Sequence, residues 1–348
     1  MAPVPRGLVY VSDQARGIRR VRLPDRKKRG RKKTPPRFNY LGAAGRRIRD
    51  ARTLARINKL AIPPAYEDVW ICANPRGHLQ ATGRDARGRK QYRYHADWSS
   101  ARNDRKHSRM LNFGQALGRM RSGLRRDLKL PGLPREKVLA LVVKLLDATQ
   151  VRVGNTEYAR TNKSFGLTTL RARHARFPVR GKASLRFRGK GGAEHDVPID
   201  DARLARLVRH CQELPGQALF QYEDEAGGHR AIDSGQVNDY LRESMGGDFT
   251  AKDFRTWRAT LHALTLLEKM PLPERHSDAA LRRCTNAVVK EVAAGLRNTP
   301  AVCRKSYINP AVFSAWQNGK LGRRSAARKA TKVAPSGAAK TLLSLLAG

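Results

Sequence analysis

The sequence predicts an α+β protein with two folded domains: a small strand-rich N-terminal domain and a larger, mainly α-helical domain containing a β-hairpin. Three observations carry this reading. Residues 68–95 hold three short alternating runs, Asp68–Cys72, His78–Thr82 and Lys90–His95, separated by the turn strings Asn74-Pro75-Arg76-Gly77 and Asp85-Ala86-Arg87-Gly88. Beyond residue 110 the apolar residues recur at helical spacing, as in Val138, Leu141, Val142, Leu145, Leu146 and in Leu281, Cys284, Val288, Val292, Leu296. Within that helical half, Ala183–Arg188 and Ala193–Ile199 alternate around Gly189-Lys190-Gly191-Gly192, so Leu185 and Phe187 face Val197 and Ile199.

Taken in order, residues 1–37 read as a basic arm: Arg16 to Arg37 carries twelve basic residues and one acid. Such an arm either lies on a polyanion or is simply solvated. The strand-rich domain occupies 38–98 and opens with a helix from Arg46 to Leu60, stopped by Pro63-Pro64. In its last strand Tyr92 and Tyr94 share one face, and alternation alone does not say which face is core. The polar, cationic stretch 99–109 reads as a linker. In the larger domain, 110–321, a helix opened by Pro134 runs into Arg152-Val153-Gly154-Asn155. A strand over 167–177 and the hairpin follow, then helices near 201–213, 234–245, 254–270 and 278–296. Residues 322–348, rich in Ala, Lys, Arg and Ser, read as a mobile basic tail.

The 348 residues include 71 Lys+Arg against 29 Asp+Glu, a formal charge of +42 and a pI near 11.3. An excess of that size points to a polyanionic partner. A membrane is the competing polyanion, but no apolar run approaches the ~20 residues of a spanning helix and no signal peptide is present. Nucleic acid is therefore the expected partner. Cys72, Cys211, Cys284 and Cys303 form no CxxC pair, which argues against a zinc site or a disulfide framework and suits a reducing cytoplasm. The histidines show no HExxH spacing, no Walker A loop occurs, and the carboxylates do not cluster as a two-metal nuclease requires. No cofactor, metal or nucleotide is expected.

The chemistry-bearing residues centre on Tyr307, which follows a helix-ending Asn298-Thr299-Pro300 in a segment whose charged members, Arg304 and Lys305, are cationic. A phenol in that setting is equipped to attack a phosphodiester, because nearby cations stabilise the charge that develops. Four other positions complete a metal-free set: Arg152 after a helix, Lys190 in the glycine turn, Arg255 at a helix start, and Asn298 after a helix. Two guanidiniums can clamp both nonbridging oxygens, Asn298 can donate to one of them, and Lys190 can protonate a leaving oxygen. Singly, each has an ordinary reading as a surface cation, a solvated turn lysine, an ion-pair arginine or a helix-end asparagine.

In order and setting these residues resemble the type IB DNA topoisomerases, specifically the small poxvirus-like enzymes of bacteria. The resemblance spans about residues 38–318. It is carried by Ile62-Pro63-Pro64-Ala65-Tyr66, Gly77-His78-Leu79-Gln80-Ala81-Thr82-Gly83-Arg84-Asp85, Gly88-Arg89-Lys90-Gln91-Tyr92-Arg93-Tyr94-His95, Val151-Arg152-Val153-Gly154-Asn155, Ser164-Phe165-Gly166-Leu167-Thr168-Thr169-Leu170, Lys252-Asp253-Phe254-Arg255-Thr256 and the Tyr307 segment. It implies a two-domain clamp around duplex DNA, a tyrosine that becomes linked to a 3′ phosphate, swivelling of the nicked strand, and resealing by the 5′ hydroxyl. It assigns transition-state clamping to Arg152 and Arg255, and general acid catalysis to Lys190 assisted by Arg152. In the smaller domain it assigns DNA contacts to Gln91, Tyr92 and Tyr94, with Arg89 and Lys90 beside them; Tyr158 and Lys163 are further contact candidates near Arg152. It also implies a monomer acting without ATP or metal, in the cytoplasm at the bacterial nucleoid. The poxvirus enzymes carry histidine where this chain has Asn298, which fits hydrogen-bond donation and not proton shuttling.

Two rivals are distinguishable. Tyrosine recombinases show His-x-x-Arg where this chain has Lys252-Asp253-Phe254-Arg255, and their N-terminal domains are generally helical. A DNA-packaging protein would need charge but no ordered Arg, Lys, Arg, Asn, Tyr set.

Overall fold

The computed structural model describes residues 4–24, 36–321 and 336–347. It divides into two compact units, Met1–Lys106 and His107–Gly348. In the first, β1 (Ile18–Arg22), β2 (Phe38–Leu41), β3 (Glu67–Ile71), β4 (Leu79–Arg84) and β5 (Lys90–Tyr94) form an antiparallel sheet in the order β2-β1-β3-β4-β5. Helix α1 (Ala51–Lys59) begins at Asp50, whose carboxylate accepts from the Thr53 N–H at 2.8 Å. It contributes Ile57 to a core of Ile18, Val69, Ile71 and Ala81. This is the strand-rich half that the alternation predicts.

The basic arm expected over 1–37 is corrected in part, because Ile18–Arg22 is a sheet strand. Ile18 is buried opposite Ile71, and Arg20 donates to the carbonyls of Ile62, Pro63 and Tyr66 at 3.3, 3.0 and 2.6 Å while lying 4.3 Å over the Phe38 ring. The prolines of that loop remove backbone donors, and the guanidinium serves the carbonyls instead. Residues 25–35, the densest part of the basic run, lie outside the described residues.

The linker expected over 99–109 is corrected too. Those residues lie inside α2 (Ala96–Asp127), a 32-residue helix, and the division between the units falls within it. The stretch contains neither glycine nor proline, and buried Trp98 and Met110 flank it, so its polarity marks solvated helix faces and not coil.

The second unit continues through α3 (Arg135–Thr149), α4 (Thr156–Asn162), β6 (Ala175–Arg176), β7 (Ala183–Arg188), β8 (Glu194–Ile199), α5 (Ala202–Glu213), β9 (Gln221–Glu223) and β10 (His229–Ala231). After these come α6 (Ser234–Met245), α7 (Ala251–Lys269), α8 (Asp278–Leu296), α9 (Pro300–Ser306), α10 (Ala311–Gln317) and α11 (Ser336–Ala347). Its core is helical. Phe113 of α2 meets Phe249, Phe254 and Trp257 with ring centroids 5.6, 5.1 and 6.1 Å apart, and α3 is buried along most of its length.

The strand expected over 167–177 is instead two 3₁₀ turns, Leu167–Thr169 and Ala172–His174, before the two-residue β6. Side chains close those turns: Thr169 Oγ1 accepts from Gly166 N and His174 Nδ1 from Arg171 N, each at 3.0 Å, diverting the backbone from a ladder. The mobile tail expected over 322–348 is likewise corrected, since Ala338 and Leu342 of α11 are buried and the helix packs with α7 and α10. Residues 322–335 lie outside the described residues. Among the described residues, no helix is long and apolar enough to cross a membrane.

Candidate active site

Arg255 sits on the second turn of α7 and is 5% exposed. A buried cation needs compensation, and here it comes from carbonyls. One terminal nitrogen donates to Gln150 O, at the C-terminus of α3, and the other to Leu296 O, the last residue of α8, at 2.9 Å. Two helix C-termini each present about half a negative charge, so the guanidinium is held where two dipoles converge. Burial lowers its pKa and repulsion from Arg152 adds to this, while Tyr307 opposes both. Its Nε is buried and makes no hydrogen bond among the described residues, although the guanidinium as a whole also engages the Tyr307 side chain.

Tyr307 lies directly against this group, its ring centroid 5.5 Å from the Arg255 guanidinium carbon. Helix α9 places it. Thr299 caps the helix through its side chain, Pro300 occupies the first turn, and the Tyr307 N–H closes the last turn on Cys303 O at 2.9 Å. The Tyr307 carbonyl then accepts from the hydroxyl of fully buried Thr260 at 3.2 Å, and the same hydroxyl accepts from Asn309 N at 3.0 Å. One α7 threonine thus fixes the backbone on the C-terminal side of Tyr307. Beneath it, burial pushes the Cys303 thiol up to about 11, which keeps it protonated and inert.

Arg152 follows α3 after the left-handed Gln150. Its loop is pinned by Leu167 N–H to Arg152 O at 2.9 Å and Thr168 N–H to Val153 O at 2.7 Å. The same segment ties the loop to β7, because the Phe165 N–H donates to Arg188 O at 2.8 Å. Lys190 is exposed at the turn after β7, where Gly189 N–H reaches Ala193 O at 2.8 Å and Gly192 N–H reaches Gly189 O at 3.1 Å. Asn298 stands two residues beyond Leu296, after the left-handed Arg297, and its N–H donates to Ala293 O at 2.9 Å. The fold therefore brings Arg152, Arg255 and Tyr307 into mutual range and puts Asn298 beside the Arg255 seat. It presents Lys190 on a solvent-facing turn.

Residue-by-residue reading misses His195. This half-buried side chain of β8 is held at about pKa 4, first by burial and then by the positive fields of Arg297, Arg152 and Arg255. The available signal was its place on the inward side of the alternation, next to Val197 and Ile199.

In the first unit, Tyr92 and Tyr94 are 47% and 39% exposed and stack 6.1 Å apart with planes within 9°. Arg89 pairs with Asp85 at 2.7 Å, and Gln91 Nε2 donates to the same carboxylate at 3.0 Å. The Arg89 hydrogen bond draws the Asp85 carboxyl down to about 2. Lys90 pairs with Asp13. Three of the five contact candidates in this unit thus hold carboxylates in the free protein. In the second unit, Tyr158 is exposed on α4 and Lys163 is its left-handed, exposed cap.

The family described as the catalytic core of eukaryotic DNA topoisomerase I matches residues 95–332. The N-terminal domain of bacterial DNA topoisomerase IB matches residues 37–85. DNA topoisomerase 1B of Acanthamoeba polyphaga mimivirus is 32% identical over 294 residues, spanning 83% of this chain and 87% of the viral protein. DNA topoisomerase 1B of vaccinia virus (strain Copenhagen) is 23% identical over 251 residues, spanning 70% of this chain and 73% of that protein.

Proposed function

The chain belongs to the type IB DNA topoisomerases, enzymes that relax supercoiled duplex DNA, and on that premise we propose that Tyr307 is its nucleophile. The phenolic oxygen attacks the scissile phosphorus, the bond to the 5′ oxygen breaks, and a 3′-phosphotyrosyl link forms. The free 5′ end swivels, and its hydroxyl then attacks the phosphotyrosine to restore the strand. Arg255 and Arg152 receive the nonbridging oxygens as negative charge grows on them. The observation that carries this reading is the buried Arg255 guanidinium set against the Tyr307 ring, with an Nε that no described residue engages. The Asn298 amide donates a further hydrogen bond, and Lys190 delivers the proton that the departing 5′ oxygen requires.

Substrate binding divides between the units. Tyr92 and Tyr94 meet the duplex directly, whereas Arg89, Lys90 and Gln91 exchange their carboxylate partners for DNA. Tyr158 and Lys163 contact the strand near Arg152. The two units close on the duplex as a clamp, and the enzyme works as a monomer at the bacterial nucleoid.

Because guanidiniums supply the positive charge, relaxation proceeds in EDTA and without ATP. A plasmid relaxation assay in chelator tests this, and relaxation by the monomer alone separates the reading from a tyrosine recombinase, which assembles synaptic tetramers. An absolute need for magnesium at low salt would overturn it.

A further inference from the structure

His195 stands where the Lys190 turn adjoins the arginines. On β8 it is directly opposite Phe187 of β7, and the two rings stack 4.8 Å apart with planes parallel to 1°. Phe187 in turn lies 6.5 Å from His174, which packs edge-on against Phe165 at 4.7 Å. The four rings run from the segment that pins the Arg152 loop to the foot of the turn. At that foot is Gly189. Its backbone angles, φ −97 and ψ −167, suit any residue, yet an added Cβ would lie 2.6 Å from both Cδ2 and Nε2 of His195. Gly189 is glycine because the imidazole occupies the space.

On the far side the support is lighter, the exposed Arg188 guanidinium lying 3.1 Å from where a Cβ of Gly192 would stand. Gly191 and Gly192 adopt φ +79 and +85, and a Cβ at Gly191 would meet nothing within 4 Å. Two backbone hydrogen bonds close the turn, but its two consecutive glycines permit residual motion, while a general acid must come within about 2.6–3.2 Å of its target oxygen. Something has to limit that motion, and the imidazole seated on the residue before Lys190 is placed to do it.

The ring is also chemically suited to the place. At about pKa 4 it is uncharged at neutral pH, so it stands among Arg297, Arg152 and Arg255 without adding a fourth cation. A lysine or arginine there would repel both the clamp and Lys190.

We propose that His195 is a positioning residue: stacked on Phe187 and seated on Gly189, it fixes the Gly189–Gly192 turn, and through it Lys190, relative to the Arg152 and Arg255 pair. The proposal rests on Lys190 being the general acid, and the test keeps the two claims apart. Single-turnover cleavage by the full-length protein is measured on a suicide duplex with an ordinary 5′ bridging oxygen and on one with sulfur at that atom. A thiolate departs without a proton, so sulfur bypasses the acid and everything that positions it. Lys190→Ala should be about 10²–10⁴-fold slow on oxygen and largely restored on sulfur. His195→Ala should be about 10–100-fold slow on oxygen, restored on sulfur, and unchanged in duplex affinity. Combined with Lys190→Ala it should add no further loss. Should His195→Ala fail to fold, Gly189→Ala serves, because its Cβ displaces the ring without removing it, and the same sulfur-restored defect is expected. If Lys190→Ala is not restored on sulfur, the general-acid assignment fails and the positioning role falls with it. If Lys190→Ala is restored but the His195 or Gly189 variant is equally slow on both substrates, or cleaves oxygen at the parent rate, only the positioning role is overturned.

Discussion

Arg255→Lys separates the two tasks that the structure gives this side chain. The substitution keeps the positive charge but replaces a planar fork with a single nitrogen. The fork spans Gln150 O and Leu296 O, carbonyls at the C-termini of α3 and α8, and an ammonium can serve only one of them. A buried carbonyl left without a donor costs about 1–3 kcal/mol, so folding stability should fall by about 2 kcal/mol. The chemistry should suffer independently. Arg255 Nε is a buried donor without a partner among the described residues, and lysine has no equivalent atom on that vector. Losing one preorganised donor to a developing oxyanion costs about 2.7–4 kcal/mol, or about 10²–10³ in the cleavage rate. Urea unfolding without DNA reads the first loss and single-turnover cleavage reads the second, while duplex affinity and its salt slope should hold because the charge is unchanged. A variant with parent stability and nearly the parent cleavage rate would refute both the helix-end seat and the clamping role.

Gly114→Ala, on α2, should destabilise the second unit by about 1–3 kcal/mol, although alanine normally favours a helix. The new Cβ would lie 2.4 Å from Trp257 Cη2 and 2.8 Å from Leu343, and a denaturation midpoint at or above that of the parent would contradict this packing. His195 gives stability a pH dependence of definite sign. Its folded pKa of about 4 lies below the ordinary 6.5, so between those values the unfolded chain takes up a proton that the folded chain refuses, and stability falls as pH drops through that window. With partial solvent screening the loss is about 1–2 kcal/mol by pH 4, and His195→Gln should show a correspondingly flatter decline. Equal slopes for the two proteins would contradict the assignment. Tyr92→Ala with Tyr94→Ala should weaken duplex binding with little change in the salt slope, because the rings carry no charge. A filter-binding titration across salt concentrations checks this, and a salt slope reduced in proportion to the affinity would count against ring contact.

The fold was legible where apolar periodicity is strong and the elements are long enough to show it. Residues 254–270 and 278–296 read as helices because their apolar positions recur, and α7 and α8 occupy Ala251–Lys269 and Asp278–Leu296. It was illegible where polar composition masks regular backbone. Residues 99–109 are half-buried to exposed polar turns of α2, and the strand at Ile18–Arg22 hides its single buried residue, Ile18, among arginines that either face water or serve loop carbonyls. Residues 167–177 misled in the opposite direction, since Thr169 and His174 bond to nearby backbone and close turns in a run of strand-like composition. At the candidate site, chain order singled out Arg152, Arg255 and Tyr307, which the fold makes neighbours. The carbonyl seat of Arg255 could not be read, because its two halves lie 105 and 41 residues away in the chain. His195 escaped for a related reason: its significance depends on Gly189 and three arginines from other elements.

The central claim is that Tyr307 forms the covalent bond to DNA. Tyr307→Phe removes one oxygen and leaves the ring against Arg255, so folding and duplex affinity should stay close to those of the parent. Denaturant-trapped protein–DNA adduct, with the modified residue mapped by mass spectrometry, is the direct measurement. The adduct should map to Tyr307 in the parent, persist in Tyr94→Phe, and be absent from Tyr307→Phe along with all relaxation. An adduct that survives in Tyr307→Phe, or that maps to another residue in the parent, would contradict the account.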